Sequence, residues 1–562
     1  MSARPEAFIA LRDAAEVEAE LSASSGPLAG LRLAVKNNVD VAGFPTTAAC
    51  PAYATEPAGT DAVAVARLRA AGATVVGVTN LDQFATGLVG QRSPYGGVRD
   101  ARRETHVSGG SSSGSAVAVA LGAADLAIGT DTAGSGRVPA AFQGIVGIKP
   151  TLGVVSVEGV VPACRSWDAV TILARDLATA DAAMAAMAGG PGTRRWPVDA
   201  PLAAPAAARV AVPARLTEMA PAWAEAFQEA ADRLRSDGCV VEAIPFAPFL
   251  AAARLLYDGG LVAERHAAVG EFVDAHPEQV DPTVGAIIAR AGEVSGSAMV
   301  RDLARLEVLR AECLGLLDGF DALLVPTAPF QPTVAEVDAE PVAANSRVGT
   351  YTNFCNLFDL CAVAVPSGTV DEGPAGIAQF GVTVVARTFH DAVALDLARR
   401  VMLPAPPPEE YAGGTGPLPE RPLPWPASIV DGGVEAVELL VVGAHLTGQP
   451  LERELRALGA RWLGPARTAA AYSLAALDTI PPKPGLTRVG AGGVSVDGEV
   501  WALSAGALGR FLAALPAPMN LGRVELDDGR WAVGFGCAAD AAAAGADISA
   551  HGGWRAWLAS PA

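Results

Sequence analysis

The stretch Ser108–Pro150, SGGSSSGSAVAVALGAADLAIGTDTAGSGRVPAAFQGIVGIKP, decides how the rest of the chain is read. Two Gly/Ser-rich loops, GGSSSG and TAGSG, flank a short apolar segment, and no charged residue occurs from Val107 to Ala124. Asp131 and Arg137 then bracket a lone serine, Ser135. An ordinary core carries bulkier side chains. Residues this small bring backbone close to something small. GSAVAVALGAA (114–124) reads as a helix opened by the first loop, and DLAIGTDT (125–132) as a strand running into the second.

Upstream, residues 6–23 show an amphipathic helical pattern, LRLAVKNNVDVAG (31–43) a strand ending in an Asn-rich turn, DAVAVARLRAAGA (61–73) a helix and TVVGVTN (74–80) a buried strand. Downstream, RVAVPA (209–214), DALLVPTAP (321–329) and FGVTVVA (380–386) read as strands. PAWAEAFQEAADRLRSDGC (221–239) reads as a helix, with more helices through 250–318. This alternation predicts an α/β sheet with helices on both faces. From Leu403 the composition turns Pro-rich, which marks 403–432 as a linker between a first domain, 1–402, and a second, 433–562. The second domain mixes short strands and helices, an α+β pattern.

Composition narrows the function. A net charge of −19 over 562 residues argues against nucleic acid or an anionic membrane as the main partner. No long apolar run and no signal-like N-terminus are present, so a cytoplasmic protein is expected. The seven cysteines form no CxxC pair and the six histidines no metal-like spacing, so free buried thiols are expected rather than disulfides or a metal site, and attack by a serine would need no organic cofactor. Only three lysines occur, Lys36, Lys149 and Lys483, against a total of 41 Lys and Arg. Where this chain keeps lysine, the residue can do what arginine cannot, such as lose a proton. The alternative is packing or chance, and Lys149, just before Pro150, reads as structural.

No histidine is placed locally to serve Ser135, and no GxSxG elbow surrounds it. Lysine is the remaining base. A buried neutral lysine accepts a proton, and a serine hydroxyl can relay one because it both donates and accepts. GGSSSG alone is also an ordinary linker or helix cap. Together with GTDTAGSGRVPAAFQGIVGIKP and AVKNNVDVAG, in order, it resembles the amidase signature family over roughly Ala29 to Val401. The resemblance implies a mixed sheet covered by helices on both faces and a Ser–cis-Ser–Lys triad: Lys36 as base, Ser111 as bridge and Ser135 as nucleophile. It also implies an oxyanion hole made by the backbone N–H groups of Thr132, Ala133, Gly134 and Ser135. Asp131 and Arg137 are expected to fix the loop.

NLDQFATGLVGQRSPYG (80–96), YDGGLVAERHAAV (257–269) and 331–360 resemble, within that family, the allophanate hydrolases. Allophanate is small, polar and anionic, so its pocket needs a fixed cation. The resemblance assigns Tyr257 and Arg265 to it. On one helix these two would lie within about 80° of each other. A surface ion pair between Arg265 and an acid such as Glu264 is the competing reading. Gly87 is assigned a backbone contact with substrate, an ordinary loop glycine being the alternative.

VVGAHLTGQPL, PPKPGLTRV, GEVWALS and DISAHGGWRAWL resemble the C-terminal domain of allophanate hydrolases, itself similar to the γ-glutamyl cyclotransferase fold. The cyclotransferase glutamate is missing from 508–520. His445 is the candidate for a role in decarboxylating N-carboxycarbamate, with a plain turn residue in an assembly module as the alternative. Lys483 and Arg555 either bind an anion or pair with acids. The resemblance also implies a homodimer and a urea carboxylase as pathway neighbour. Two readings compete on substrate: a broader amidase acting on biuret-like amides, and one component of a tRNA-dependent amidotransferase.

Overall fold

A computed structural model describes residues 4–409, 411 and 413–560. The chain forms two compact units. The first comprises Met1–Arg195, Ala207–Arg421 and Ile429–Gly432; the second comprises Trp196–Ala206, Pro422–Ser428 and Gly433–Ala562. The stretch 403–432 is therefore shared between the units, and eleven residues from the middle of the first sequence domain join the second unit. An aromatic anchor is the reason. Trp425 is fully buried, and its ring meets that of Trp196 edge-on at 5.3 Å.

The first unit is built on eleven strands: β1 (Phe8–Leu11), β2 (Arg32–Lys36), β3 (Thr74–Thr79), β4 (Leu126–Asp131), β5 (Val146–Lys149), β6 (Ala169–Ala174), β7 (Arg209–Pro213), β8 (Val240–Ile244), β9 (Ala322–Pro326), β10 (Cys361–Asp371) and β11 (Ile377–Ala386). They form one sheet in the order β1-β3-β2-β4-β6-β5-β10-β11-β9-β7-β8. β2 runs parallel to β3 and β4, and β7 parallel to β8 and β9, while the β4–β6 and β10–β11 pairs are antiparallel. The sheet is mixed, as the family resemblance implies. β3, β4, β5, β6 and β9 are buried at every position, which requires cover on both faces.

The structure corrects two local expectations. Residues 6–23 are not one helix. Phe8–Leu11 pairs antiparallel with β3 at the sheet edge, and the helix Ala14–Ala23 begins only where the Asp13 carboxylate accepts the amides of Ala15 and Glu16. Tyr257 and Arg265 also do not share a helix. The helix Ala247–Leu255 ends before Tyr257, the glycines 259 and 260 follow, and a new helix, Ala263–Ala275, carries Arg265.

Among the described residues the second unit holds eight strands: β12 (Ala436–Val441), β13 (Arg461–Arg467), β14 (Tyr472–Leu477), β15 (Lys483–Arg488), β16 (Asp497–Ser504), β17 (Met519–Glu525), β18 (Trp531–Cys537) and β19 (Ala546–Asp547). They form a five-stranded sheet, β13-β16-β12-β18-β17, and a three-stranded one, β15-β14-β19. The helix Ala505–Ala514 follows β16, and the core is set by residues such as Leu439, Leu440, Trp501, Phe511 and Phe535. Among the described residues no helix is long and apolar enough to cross a membrane.

Candidate active site

Three pieces of the first unit converge. Lys36 is the last residue of β2, and β2 pairs directly with β4, whose end opens the TAGSG loop. The GGSSSG loop precedes the helix Ser113–Ala120, which is buried along its whole length. The two loops are stitched together: the Ser112 amide donates to the Ser135 carbonyl at 3.3 Å, and Ser112 Oγ donates to the Thr130 carbonyl at 3.2 Å. The Gly110–Ser111 peptide is cis.

Lys36 is fully buried, and its Nζ donates to Ser111 Oγ at 2.8 Å and to Thr130 Oγ1 at 2.7 Å. Burial brings its pKa down to about 7, against the opposing pull of Asp82, Asp168 and Asp131. Thr130, which sequence reasoning passes over, is the second acceptor for this amine. The available signal is its place at the end of β4, on the strand beside β2.

Ser135 is 4 % exposed, and its Oγ faces the Gly87 carbonyl at 3.5 Å, too long for a strong hydrogen bond. The loop around it is rigid. Asp131 accepts from Gly134 N (2.8 Å), Gly136 N (3.1 Å) and Arg137 N (3.3 Å), and it pairs with the Arg137 guanidinium through two contacts of 2.9 Å. Both side chains of this pair are completely buried, and Asn356 bonds to each residue. Gly134 has φ +128°, and a Cβ there would sit 2.4 Å from Thr352 Oγ1, so the loop requires glycine at that point. The Gly134 amide is therefore already engaged. The amides of Thr132, Ala133 and Ser135 have no protein acceptor among the described residues.

The other wall is set by Asp82, also invisible to the sequence reading. Its carboxylate accepts the amides of Gly90 (2.9 Å) and Arg92 (3.0 Å), and its own amide donates to the Ser111 carbonyl at 3.3 Å. A Cβ on Gly87 or Gly110 would approach Asp82 to 2.4 or 2.2 Å, so both glycines pack on this carboxylate. Asp168 ties a third loop to the nucleophile loop by accepting Thr132 Oγ1 at 2.5 Å and the amides of Ala163 and Cys164.

Arg265 is 2 % exposed, so it is not a surface ion pair. Its Nη1 donates to Thr86 Oγ1 at 3.0 Å, next to Gly87, and its guanidinium carbon lies 5.4 Å from the Tyr257 ring centroid. Its Nε is buried with no partner; among the described residues no carboxylate bonds to it, and the Asp168 carboxylate acts on it at longer range. Glu264, the suggested acid, instead accepts the Ser166 amide. Burial raises the pKa of the Tyr257 hydroxyl, which keeps it a neutral donor. The structure thus brings Gly87, Ser135, Tyr257 and Arg265 into one region although 257 and 265 lie on different elements.

In the second unit His445 is 4 % exposed, stacks on Phe535 (5.0 Å) and contacts Phe511 edge-on (5.2 Å), while its Nε2 meets Glu454 at 3.0 Å. Burial lowers its pKa, with the nearby Lys483 adding to the effect and Glu454 opposing it. Arg555 does pair with an acid: it reaches Glu499 at 2.8 Å. Among the described residues no group of His, Cys, Asp or Glu could hold a metal ion.

Comparison with known proteins agrees with this geometry. Residues 7–395 match the Amidase family and residues 437–559 the family described as allophanate hydrolase C-terminal domain. A urea amidolyase of Saccharomyces cerevisiae is 41% identical over 552 residues, 95% of this chain, and the chain spans only 30% of that protein's length. A component of the glutamyl-tRNA(Gln) amidotransferase of Symbiobacterium thermophilum is 34% identical, covering 66% of this chain and 82% of that protein. A solved Kluyveromyces lactis allophanate hydrolase superposes with a TM-score of 0.88 at 37% identity, over 99% of this chain and 94% of its own. The chain belongs to the amidase family, and its second unit is an allophanate hydrolase C-terminal domain.

Proposed function

We propose that this chain hydrolyses allophanate to ammonia and N-carboxycarbamate. The observation that carries the reading is Arg265: a buried guanidinium bonded to the residue beside Gly87, with an orphaned Nε and no carboxylate in direct contact among the described residues, Asp168 acting on it only at longer range. A buried cation of this kind calls for an anionic ligand. Allophanate offers a carboxylate for Arg265 and Tyr257 and a terminal ureido carbonyl for Ser135. The likeness to urea amidolyase and to K. lactis allophanate hydrolase across both units supports this over the amidotransferase reading, since the matching amidotransferase component covers only 66% of the chain.

In the proposed mechanism neutral Lys36 takes a proton from Ser111 as Ser111 takes one from Ser135. Ser135 Oγ adds to the terminal carbonyl. The amides of Thr132, Ala133 and Ser135 hold the oxyanion, and that of Gly134, committed to Asp131, holds the loop. The proton returns through Ser111 to the leaving nitrogen and ammonia departs. Water then cleaves the acyl-enzyme. The dicarboxylate product goes on to lose CO2, a step that the His445 region would assist. A carboxylase acting on urea would supply the substrate.

Lys36 is active as the unprotonated amine. With its pKa at about 7, kcat/KM for allophanate is expected to rise with pH through an acid limb near 7 and to level off above it. A profile flat from about pH 5.5 to about 8.5 would remove Lys36 from the base role.

Substrate choice tests the reading. Ammonia release is expected to be fast with allophanate and slow with the neutral amides biuret and malonamide. Arg265→Lys is expected to lower kcat/KM for allophanate by about 10²-fold, because a point charge replaces a planar fork. The slow turnover of neutral amides should hardly change. Equal losses on charged and neutral amides would refute the anchor role.

A further inference from the structure

The loop 82–92 touches three working parts of the site. It wraps around the Asp82 carboxylate, which accepts the amides of Gly90 and Arg92. It meets the bridging serine through the Asp82 amide, which donates to the Ser111 carbonyl. The Gly87 carbonyl faces Ser135 Oγ, and one residue earlier Thr86 Oγ1 accepts from the Arg265 guanidinium. A single residue step therefore separates the contact on the cation from the contact on the nucleophile.

Thr86 is buried and fixed at each of its polar groups. Its amide donates to the Gln83 carbonyl at 3.0 Å. Its carbonyl accepts Arg92 Nη1 at 2.9 Å, while Arg92 Nη2 donates to the Pro341 carbonyl at 2.6 Å, so this second buried guanidinium braces Thr86 against another loop. The Thr86 hydroxyl donates to the Phe84 carbonyl at 3.3 Å, which leaves its lone pairs for Arg265. Beyond Gly87, the Leu88 amide donates to Asn345 Oδ1 at 2.7 Å and the Leu88 carbonyl accepts the Gly110 amide at 2.8 Å.

The backbone that leads into Thr86 is strained. Phe84 and Ala85 both lie in the left-handed region, at φ +51° and +53°, where residues with a Cβ seldom sit. The Phe84 amide donates to the Ala48 carbonyl, and its ring packs against Tyr53 and Phe272. Such a turn persists only where its surroundings over-determine it, and it occurs where a group must be aimed.

We propose that Thr86 is a positioning residue that sets the span between the Arg265 guanidinium and Ser135, and that this span selects amides whose carbonyl carbon is one atom away from a carboxylate. The inference rests on the anionic substrate proposed above. Thr86 acts through Arg265. An arginine side chain has several free torsions, and a hydroxyl bonded to Nη1 holds its fork in one place. A carboxylate seated on that fork puts a carbonyl one spacer atom away against Ser135. An extra methylene either carries the carbonyl past the nucleophile or lifts the carboxylate off the fork.

Malonamate, in which CH2 replaces the NH of allophanate, and succinamate, one CH2 longer, read the span. The parent enzyme is expected to favour malonamate in kcat/KM by about 10²-fold. Thr86→Val removes the hydroxyl at similar volume. It should raise KM for malonamate about tenfold, lower kcat less, and cut the preference over succinamate about tenfold. Thr86→Ser keeps the oxygen and should keep the preference. Arg92→Lys cannot reach both carbonyls. It should act in the same direction as Thr86→Val and carries the test should that variant fail to fold. A change in stability alone would lower both rates together and leave their ratio as it was. A parent without the preference, or a ratio unchanged in the folded variants, overturns the proposal. Arg265→Lys separates the two ideas. If it loses malonamate turnover while Thr86→Val keeps the parent ratio, the anchor stands and the role of Thr86 falls. If Arg265→Lys keeps full malonamate turnover, the anchor falls and the role of Thr86 with it.

Discussion

Lys36→Arg is expected to lower ammonia release from allophanate by roughly 10³- to 10⁴-fold, the upper part of the range for loss of a positioned base. The lysine lies wholly inside the protein, between Ser111 Oγ and Thr130 Oγ1, and burial has brought its pKa to about 7. It can therefore be neutral at working pH and still be a fair base. Arginine keeps its proton in any protein environment. It would also place a larger charged group where Asp82, Asp131 and Asp168 already balance a smaller one. Lys36→Met should lose as much activity, and its residual rate should lack the acid limb near pH 7. The measurement is single-turnover ammonia release over roughly pH 5.5 to 9, with circular dichroism to confirm folding. A Lys36→Arg enzyme within tenfold of the parent would mean that another group accepts the Ser135 proton.

The second large effect is on stability. Asp131→Leu is expected to cost about 3–5 kcal/mol, because it strands the Arg137 guanidinium in a site with no solvent access. It also removes acceptors from the amides of Gly134, Gly136 and Arg137, which leaves three buried donors short of a partner. The urea midpoint should fall accordingly, and activity should fall further than lost stability alone would explain, since the free amides proposed for the oxyanion are held in place by this carboxylate. The double variant Asp131→Leu/Arg137→Leu discriminates. Removing both charges should restore part of the lost stability without restoring turnover. A double variant as unstable as the sum of the singles would mean that the pair does not act as a buried unit.

The two loops, the strand carrying Lys36 and the amidase class are legible in the sequence because each is a local signal. Glycines and serines cluster where backbone must approach closely, and a chain with three lysines marks the exceptional ones. Residues 6–23 look like a single helix because an apolar edge strand and a helix separated by one capping turn give nearly the same periodicity over so short a span. Helical spacing also puts Tyr257 and Arg265 on one face. They meet instead because two helices and a glycine turn fold back together, which spacing cannot express. Thr130, Asp82 and Asp168 carry no motif of their own. Thr130 matters through Lys36, 94 residues away, and Asp168 through Thr132, 36 residues away.

By itself, then, the sequence determined the chemistry available: two serines in glycine-rich loops, one lysine able to lose its proton and a family whose second unit has its own motifs. Only the tertiary structure decided which groups are free to act. Sequence could not tell that the Gly134 amide is held by Asp131 while its neighbours are open, or that the Arg265 guanidinium is buried with an unpartnered Nε and no carboxylate in contact among the described residues. Those are statements about burial and pairing. A side chain's charge is written in its residue type, but whether that charge is satisfied depends on everything the fold brings within about 3 to 4 Å of it.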